Sequence, residues 1–186
     1  NVMLAAGVSG GIYRSTNGGT SWTFVHPVND VRIVSCLAQD PSSPDTWYAG
    51  TGELLGASTT YPNAFIPGHG IYKSTNNGVS WSKIPSSVQG NVTENGFVDD
   101  IFDMVFNIQV DNNGVVYAAV LNAILRSTNG GTDWFGSIFE LDGLSTPNTP
   151  LSTLITDIAI SKPGISPVRY YASFTGRSRD SDTAGV

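Results

Sequence analysis

The sequence predicts an all-β chain of repeated four-stranded antiparallel units, and three observations predict it. An eight-residue box occurs three times, every copy follows the same apolar-basic lead-in, and short alternating runs between turn signals fill the intervals. The boxes are Ser15-Thr-Asn-Gly-Gly-Thr-Ser-Trp22, Ser74-Thr-Asn-Asn-Gly-Val-Ser-Trp81 and Ser127-Thr-Asn-Gly-Gly-Thr-Asp-Trp134. They begin at residues 15, 74 and 127, so 59 and then 53 residues apart. Their lead-ins are Ile12-Tyr13-Arg14, Ile71-Tyr72-Lys73 and Ile124-Leu125-Arg126.

Each box makes sense as a hairpin. The lead-in is a strand, and the side chains of Asn17, Asn76 and Asn129 are expected to fold onto backbone N–H groups two residues on. Gly19, Gly78 and Gly131 supply the positive φ of the turn. Trp22, Trp81 and Trp134 return on the following strand, and each is expected to be mostly buried over its own turn. Ser15, Ser74 and Ser127 open the boxes as part of the same structural set.

With the strands of a unit lettered A to D from the centre outward, the chain reads in order. Residues 1–30 supply strands B to D of a first unit, opening on Asn1-Val-Met-Leu-Ala-Ala-Gly7, which lacks the basic region of a signal peptide. Residues 31–90 form a complete unit: Val34–Ala38, the turn Asp40–Asp45, Thr46–Thr51, then the second box. Residues 98–140 form another, from Met104–Val110 through the turn Asp111-Asn-Asn-Gly114 to Val115–Val120 and the third box. Residues 152–186 begin a further unit with Thr156–Ile160 and Arg169–Phe174. Four antiparallel strands per repeat define the blade of a β-propeller. Three blade equivalents and one strand are too few to close a ring, so the chain is expected to be an incomplete portion of one larger propeller domain, with further blades or domains in the same parent chain.

These residues resemble the Asp-box (BNR) repeat superfamily, which includes sialidases, family 74 xyloglucanases, sortilin-type receptors and secreted bacterial surface proteins. Trp47-Tyr-Ala-Gly-Thr-Gly-Glu53 and Gly70-Ile-Tyr-Lys-Ser74 look more like the sortilin and xyloglucanase branch than the sialidases. The family's box usually has Asp at its third position, where this chain has Asn three times. The resemblance implies that the boxes sit at C–D turns on the rim away from any ligand. It also implies a catalytic aspartate, in xyloglucanases, just before Gly-Gly-x-Tyr-Arg; here Val8 occupies that place ahead of Gly10-Gly-Ile-Tyr-Arg14. A sialidase would need an arginine triad and an Arg-Ile-Pro signature, and Val31-Arg-Ile-Val34 lacks the proline. Of the arginines Arg14, Arg32, Arg126, Arg169, Arg177 and Arg179, the first and third belong to lead-ins.

Composition narrows the function classes. With 15 acidic and 9 basic residues, a net charge of −6 and no basic cluster, the chain is not a nucleic-acid binder. No run is long and apolar enough for direct membrane insertion. The single cysteine, Cys36, reads as a small buried hydrophobe. His26 and His69 with one cysteine make no zinc site, and no metal, cofactor or catalytic residue is expected. Asp99, Asp100 and Asp103 read as a solvated strand end, and the sequon Asn91-Val-Thr93 as coincidence.

The long connections carry the functional expectation. Glu53–Gly70, Ser82–Asp100 and Phe135–Thr153 are B–C or D–A segments and fall on the rim opposite the boxes. Tyr61, Phe65, His69, Phe97 and Phe139 are the candidate ligand-binding residues, suited to a glycan or protein partner. The expected protein is a non-catalytic, secreted or cell-surface binding propeller. The alternatives are a glycoside hydrolase, xyloglucanase- or sialidase-like, with its carboxylates mostly outside this segment, and a structural module of a large adhesin or secretion cargo.

Overall fold

The computed structural model describes residues 2–53, 66–88, 101–120, 123–136, 153–161 and 170–176. Sheet one joins β1 (Met3–Gly7), β2 (Gly11–Ser15) and β3 (Thr23–Phe24). Sheet two joins β4 (Val34–Gln39), β5 (Trp47–Thr51), β6 (Ile71–Ser74) and β7 (Ser82–Lys83). Sheet three joins β8 (Val105–Val110), β9 (Val116–Val120) and β10 (Ala123–Ser127), and sheet four pairs β11 (Thr153–Ile160) with β12 (Tyr170–Gly176). Every pairing is antiparallel and links strands consecutive in the chain. The chain is all-β, as the patterning predicts; helix among the described residues is limited to 3₁₀ turns at Pro85–Ser87 and Ile101–Asp103. After the third box the returning strand shrinks to one bridge, Arg126 with Phe135.

The sheets share one register. Ser15, Ser74 and Ser127 stand opposite Met3, Trp47 and Val116, so the box serine occupies the same rung each time. A bulge also recurs: β4, β8 and β11 skip pairing between Val34 and Cys36, Val105 and Asn107, and Ile155 and Asp157. An extra residue at this rung bends the strand and increases its twist.

Inside each box the serine is the hub. Ser15 Oγ accepts from the Gly19 N–H at 2.9 Å and donates to Asn17 Oδ1 at 2.9 Å. Ser74 and Ser127 repeat both bonds with Gly78 and Asn76, and with Gly131 and Asn129. The asparagine Oδ1 accepts from the N–H of Ser21, Ser80 or Asp133, four residues on rather than the expected two, because two consecutive residues take positive φ and lengthen the turn. Those pairs are Gly18 and Gly19, Asn77 and Gly78, and Gly130 and Gly131. The amide Nδ2 then donates to Ser21 Oγ, Ser80 Oγ or Asp133 Oδ2. An aspartate could not make this last bond.

Alternation gives sheets two and three one face toward the preceding sheet and one toward the next. Between sheets one and two, Leu4, Ile12 and Val25 pack against Val34, Ala49, Tyr72 and Trp81. Between sheets two and three, Tyr48, Ile71 and Ile84 pack against Val105, Val116, Leu125 and Trp134. Tyr117, Ala119 and Ile124 meet Ile158 of sheet four. A Cβ on Gly50 would fall 2.6 Å from Val105 Cγ1, so glycine there permits the close approach of sheet three.

The first two interfaces each carry a polar staple from the lead-in cation. Arg14 Nε donates to the Asn77 carbonyl at 2.8 Å, and Lys73 Nζ to the Gly130 carbonyl at 3.0 Å. Both carbonyls belong to the fourth position of the next box.

One expectation fails at the tryptophans. Trp81 is 8% exposed but Trp22 is 40% exposed, and Trp134 is half-buried. Trp22 does cover its own turn, its Nε1 donating to the Gly19 carbonyl at 3.0 Å, yet that contact leaves its outer face open. Burial of a box tryptophan therefore comes from the preceding sheet and not from its hairpin. Trp134 even finds its hydrogen bond there, at Ser86 Oγ.

Two outcomes follow from this packing. Trp81→Ala should cost about 3–5 kcal/mol in denaturant titration, as for large core truncations, and Trp22→Ala less than half of that. Asn129→Asp sets two carboxylates against each other and should destabilise the chain by about 1 kcal/mol or more at pH 7, whereas Asn17→Asp, facing Ser21 Oγ, should not. Adding Asp133→Ser to Asn129→Asp should restore the loss in a double-mutant cycle.

Candidate functional site

Strand direction sorts the connections onto two edges of the sheets. One edge holds the boxes and the turns between β4 and β5 and between β8 and β9. Asp40 and Asp111 close those turns with side-chain bonds to Ser42 N, Ser43 N, Asn113 N and Val115 N. The second box reaches the first of them through Asn77 N to the Asp45 carbonyl at 2.8 Å. The serine, asparagine and aspartate side chains at these turns bond mainly within their own turns, and the Asn77 and Gly130 carbonyls bond the neighbouring sheet.

The opposite edge gathers the segments that follow β3, β5 and β7. Gly11 N donates to the Arg32 carbonyl, Gly52 N to the Ile33 carbonyl and Gly68 N to the Asp103 carbonyl. Thr51 Oγ1 donates to the Gly70 carbonyl at 2.7 Å and accepts from the His69 N–H at 2.6 Å. Ser87 Oγ accepts from the Ile71 N–H at 2.9 Å. Backbone crowding makes this possible: a Cβ on Gly52 would lie 2.2 Å from the Asp103 carbonyl oxygen, and one on Gly70 2.3 Å from that of Ser87.

A charged cluster sits in this edge. Asp30 Oδ2 pairs with Lys83 Nζ at 2.9 Å, and Asp30 Oδ1 lies 3.2 Å from His69 Nδ1. Lys83 Nζ also reaches His69 Nδ1 at 2.5 Å and lies 5.8 Å above the Tyr72 ring. Asp30 further accepts the N–H of Val31. Burial pushes the Asp30 carboxyl up, but Lys83, the neighbouring Tyr72 hydroxyl, His69 and Val31 together hold it at about 2. Burial and the same carboxylate push the Tyr72 phenol well above its ordinary value. Tyr72 Oη sits beside Asp30 without a well-formed hydrogen bond to it.

His26 is 3% exposed, with its ring 5.7 Å from that of Tyr72. Burial lowers its pKa, against smaller opposing effects of Val31 and Asp30, so the imidazole is neutral. The cluster ties three chain segments together around an ionised carboxylate. The Asp30 carboxyl, held at about 2, carries no proton to donate at ordinary pH.

The predicted site residues divide as follows. His69 lies in the cluster, half-buried, where it meets Asp30. Tyr61, Phe65, Phe97 and Phe139 lie outside the described residues, as do Asp99, Asp100, Arg169, Arg177, Arg179 and the sequon at Asn91. Asp103 is not a solvated strand end: it is 2% exposed within a 3₁₀ turn against which Gly52 and Gly68 lie. Val8 stands at the open β1–β2 turn, 40% exposed. Burial pushes the Cys36 thiol up to about 11, which suits an inert side chain. Sequence reasoning missed Asp30 and Lys83. Neither lies in a motif, and only the packing of β7 beside the segment after β3 joins them. Among the described residues no group of three or more His, Cys, Asp or Glu could hold a metal ion, and no helix is long and apolar enough to cross a membrane.

No family model matches the chain, and no curated protein matches it. Solved structures do. A GH74 enzyme from Niastella koreensis aligns over 95% of this chain and 28% of its own, with a TM-score of 0.55 and 16% identity. An ancestral GH74 enzyme aligns over 72% of this chain and 18% of its own, at TM-score 0.49 and 23% identity. YCF48 bound to D1 peptide aligns over 72% and 35%, at TM-score 0.46 and 17% identity. The chain thus spans about a third or less of the length of these proteins. The Niastella koreensis likeness is one of fold, and it agrees with antiparallel sheets stacked as in part of a β-propeller.

Asp30 generates a pH prediction. Its carboxyl moves from 3.8 to about 2 on folding, so its contribution is complete above about pH 4 and is lost as the pH falls through about 2. Asp30→Asn should therefore lower stability at pH 7 and narrow that deficit towards pH 2. Lys83→Met should raise the carboxyl's midpoint in side-chain NMR titration.

Proposed function

We propose that the chain is part of a non-catalytic, secreted or cell-surface binding propeller of the Asp-box type, nearer to the sortilin and xyloglucanase branch than to sialidases. Residues 1–30, 31–90, 98–140 and 152–186 would be its successive blade portions. The ligand is a glycan or a protein, met by the edge opposite the boxes.

The difference between the two edges carries this reading. On the box edge, Ser, Asn and Gly are committed to their own hairpins and staples. The other edge carries the described ends of the long 53–70, 82–100 and 135–153 connections, beside a braced ionic cluster at Asp30, His69 and Lys83. Rigid sheets that position long loops are the usual arrangement of a binding surface. The hydrolase alternative gains nothing from the described residues. Glycoside hydrolysis uses two carboxyls, one protonated at working pH; Val8 stands where the resemblance would put an aspartate, and Asp30 is ion-paired and held at about 2. The GH74 likeness is of fold and lends no activity.

The assignment of edges has a direct test. Bound glycans or proteins are first found on a glycan array and by surface cross-linking. Tyr61→Ser with Phe65→Ser should then weaken binding about tenfold or more, equivalent to about 1.4 kcal/mol, with circular dichroism unchanged. Binding that survives those changes, and falls when Thr20 or Asp133 is altered, would place the ligand on the box edge.

A further inference from the structure

Asparagine followed by glycine is the dipeptide most open to ring closure, because no side chain shields the next backbone nitrogen. The chain has five such steps, at Asn17, Asn77, Asn95, Asn113 and Asn129. Asn95 lies outside the described residues. Of the other four, Asn17, Asn113 and Asn129 are all exposed, so exposure does not separate them. Hydrogen bonding does.

Ring closure brings the glycine nitrogen onto the asparagine Cγ, so the carboxamide has to swing out of any bonds it makes. In boxes one and three it makes three. Asn17 Oδ1 accepts from Ser15 Oγ at 2.9 Å and from the Ser21 N–H at 2.9 Å, and Nδ2 donates to Ser21 Oγ at 2.9 Å. Asn129 repeats the set with Ser127 Oγ, the Asp133 N–H and Asp133 Oδ2, at 3.0, 2.9 and 2.8 Å. In box two the step falls one position later, at Asn77, and there the backbone is held instead. Asn77 N donates to the Asp45 carbonyl at 2.8 Å, and the Asn77 carbonyl accepts from Arg14 Nε at 2.8 Å. The attacking nitrogen would be that of Gly78, which is buried against Leu4 and donates to Ser74 Oγ at 2.9 Å.

Asn113 is held by less. It stands in the β8–β9 turn, and among the described residues its carboxamide has no hydrogen-bond partner. Asp111 engages only the backbone: its Oδ1 accepts the Asn113 N–H at 2.9 Å, and its carbonyl accepts the Gly114 N–H at 3.0 Å. One turn bond has to open before Gly114 N can reach Asn113 Cγ, against three in a box.

We infer that Asn113 is a site of spontaneous deamidation, and that the boxes shield their own Asn-Gly steps from the same reaction. Gly114 N loses its proton to hydroxide and bonds to Asn113 Cγ. The Cγ–Nδ2 bond breaks, and Nδ2 takes a proton from water and leaves as ammonia. Water then opens the cyclic imide. Cleavage at Cγ gives aspartate in the original backbone, and cleavage at the Asn113 carbonyl carbon gives isoaspartate, whose backbone runs through the former side chain. No electron is transferred, and water is the only co-reactant. Either product sets a carboxylate beside Asp111, which is 9% exposed. Isoaspartate also adds a backbone atom to a turn that fits against sheet two, where a Cβ on Gly114 would lie 3.0 Å from Ser42 Oγ.

The test follows the four steps in the 186-residue chain carrying Asn95→Gln. Folded protein, checked by circular dichroism, is held in mildly alkaline buffer beside a second sample in urea. Trypsin, cutting after Arg14, Arg32, Lys73, Lys83 and Arg126, puts each step on its own peptide for mass spectrometry. In the folded chain Asn113 should be lost about tenfold or more faster than Asn17 and Asn129, which must break two further hydrogen bonds. Asn77 should also lag, and isoaspartate should be detected at 113 by enzymatic methylation. In urea the four rates should converge. Ser15→Ala should speed the loss of Asn17 while Asn129 stays slow, which also shows that the rest of the chain remains folded. Equal rates at Asn113 and Asn129 in the folded chain would overturn the inference, as would an Asn113 that stays intact while the urea sample reacts. An Asn17 rate unmoved by Ser15→Ala, with Asn129 still slow, would overturn the shielding.

Discussion

Everything in this structure depends on a serine hydroxyl that bonds the N–H four residues ahead. Ser15, Ser74 and Ser127 hold Gly19, Gly78 and Gly131 in this way, and the clasp forces two successive left-handed residues into the turn. Such a turn aims the fourth-position carbonyl outward and leaves the fifth position flat. The preceding sheet uses both, placing Arg14 or Lys73 on the carbonyl and Leu4 or Ile84 against the glycine. The hairpin is therefore shaped less for its own strands than for its neighbour. Loss of one serine would disturb an interface as well as a turn.

What was legible in the sequence follows from this division. The boxes are local, with the bonds of the serine and asparagine side chains all inside eight residues, so motif, turn and strand order could be read directly. The exposure of Trp22 could not, because all three boxes are alike within themselves and differ in what packs on them. The reach of the asparagine was misjudged for a similar reason: it depends on the φ of the fourth residue, which is glycine in two boxes and asparagine in the other. The bulges of β4, β8 and β11 leave no mark either, since Ser35, Phe106 and Thr156 share no residue type. Most of the candidate site lies in connections that carry no repeat.

The Asp30 cluster shows how a repeat acquires an individual feature. Phe24 stands at the rung of Lys83, so sheet one has an aromatic where sheet two has a cation. A lysine at that rung would be wasted on an apolar interface unless a carboxylate met it. The segment after β3 brings Asp30 to it, and His69 closes the third side. Lys83 bridges the other two, its ammonium pairing with the Asp30 carboxylate and reaching His69 Nδ1, and this fixes the geometry at the base of two long connections. The cluster braces the loop edge without itself being spent on chemistry.

Asparagine at the third box position belongs to the same logic. Its Oδ1 does what a carboxylate would do, accepting one backbone N–H and one hydroxyl. Its Nδ2 adds a donor, and the acceptor varies between Ser21, Ser80 and Asp133. Serine hydroxyls can turn to suit either partner, so boxes one and two tolerate a carboxylate at the third position. Box three does not, because Asp133 is already an acceptor. Neutral third positions also spare the box edge three negative charges in a chain that carries −6. In boxes two and three they would stand one residue before the Asn77 and Gly130 carbonyls, which already accept from Arg14 and Lys73. With asparagine, the cation has one destination, the carbonyl of the next box, and the stacking of sheets keeps a single register.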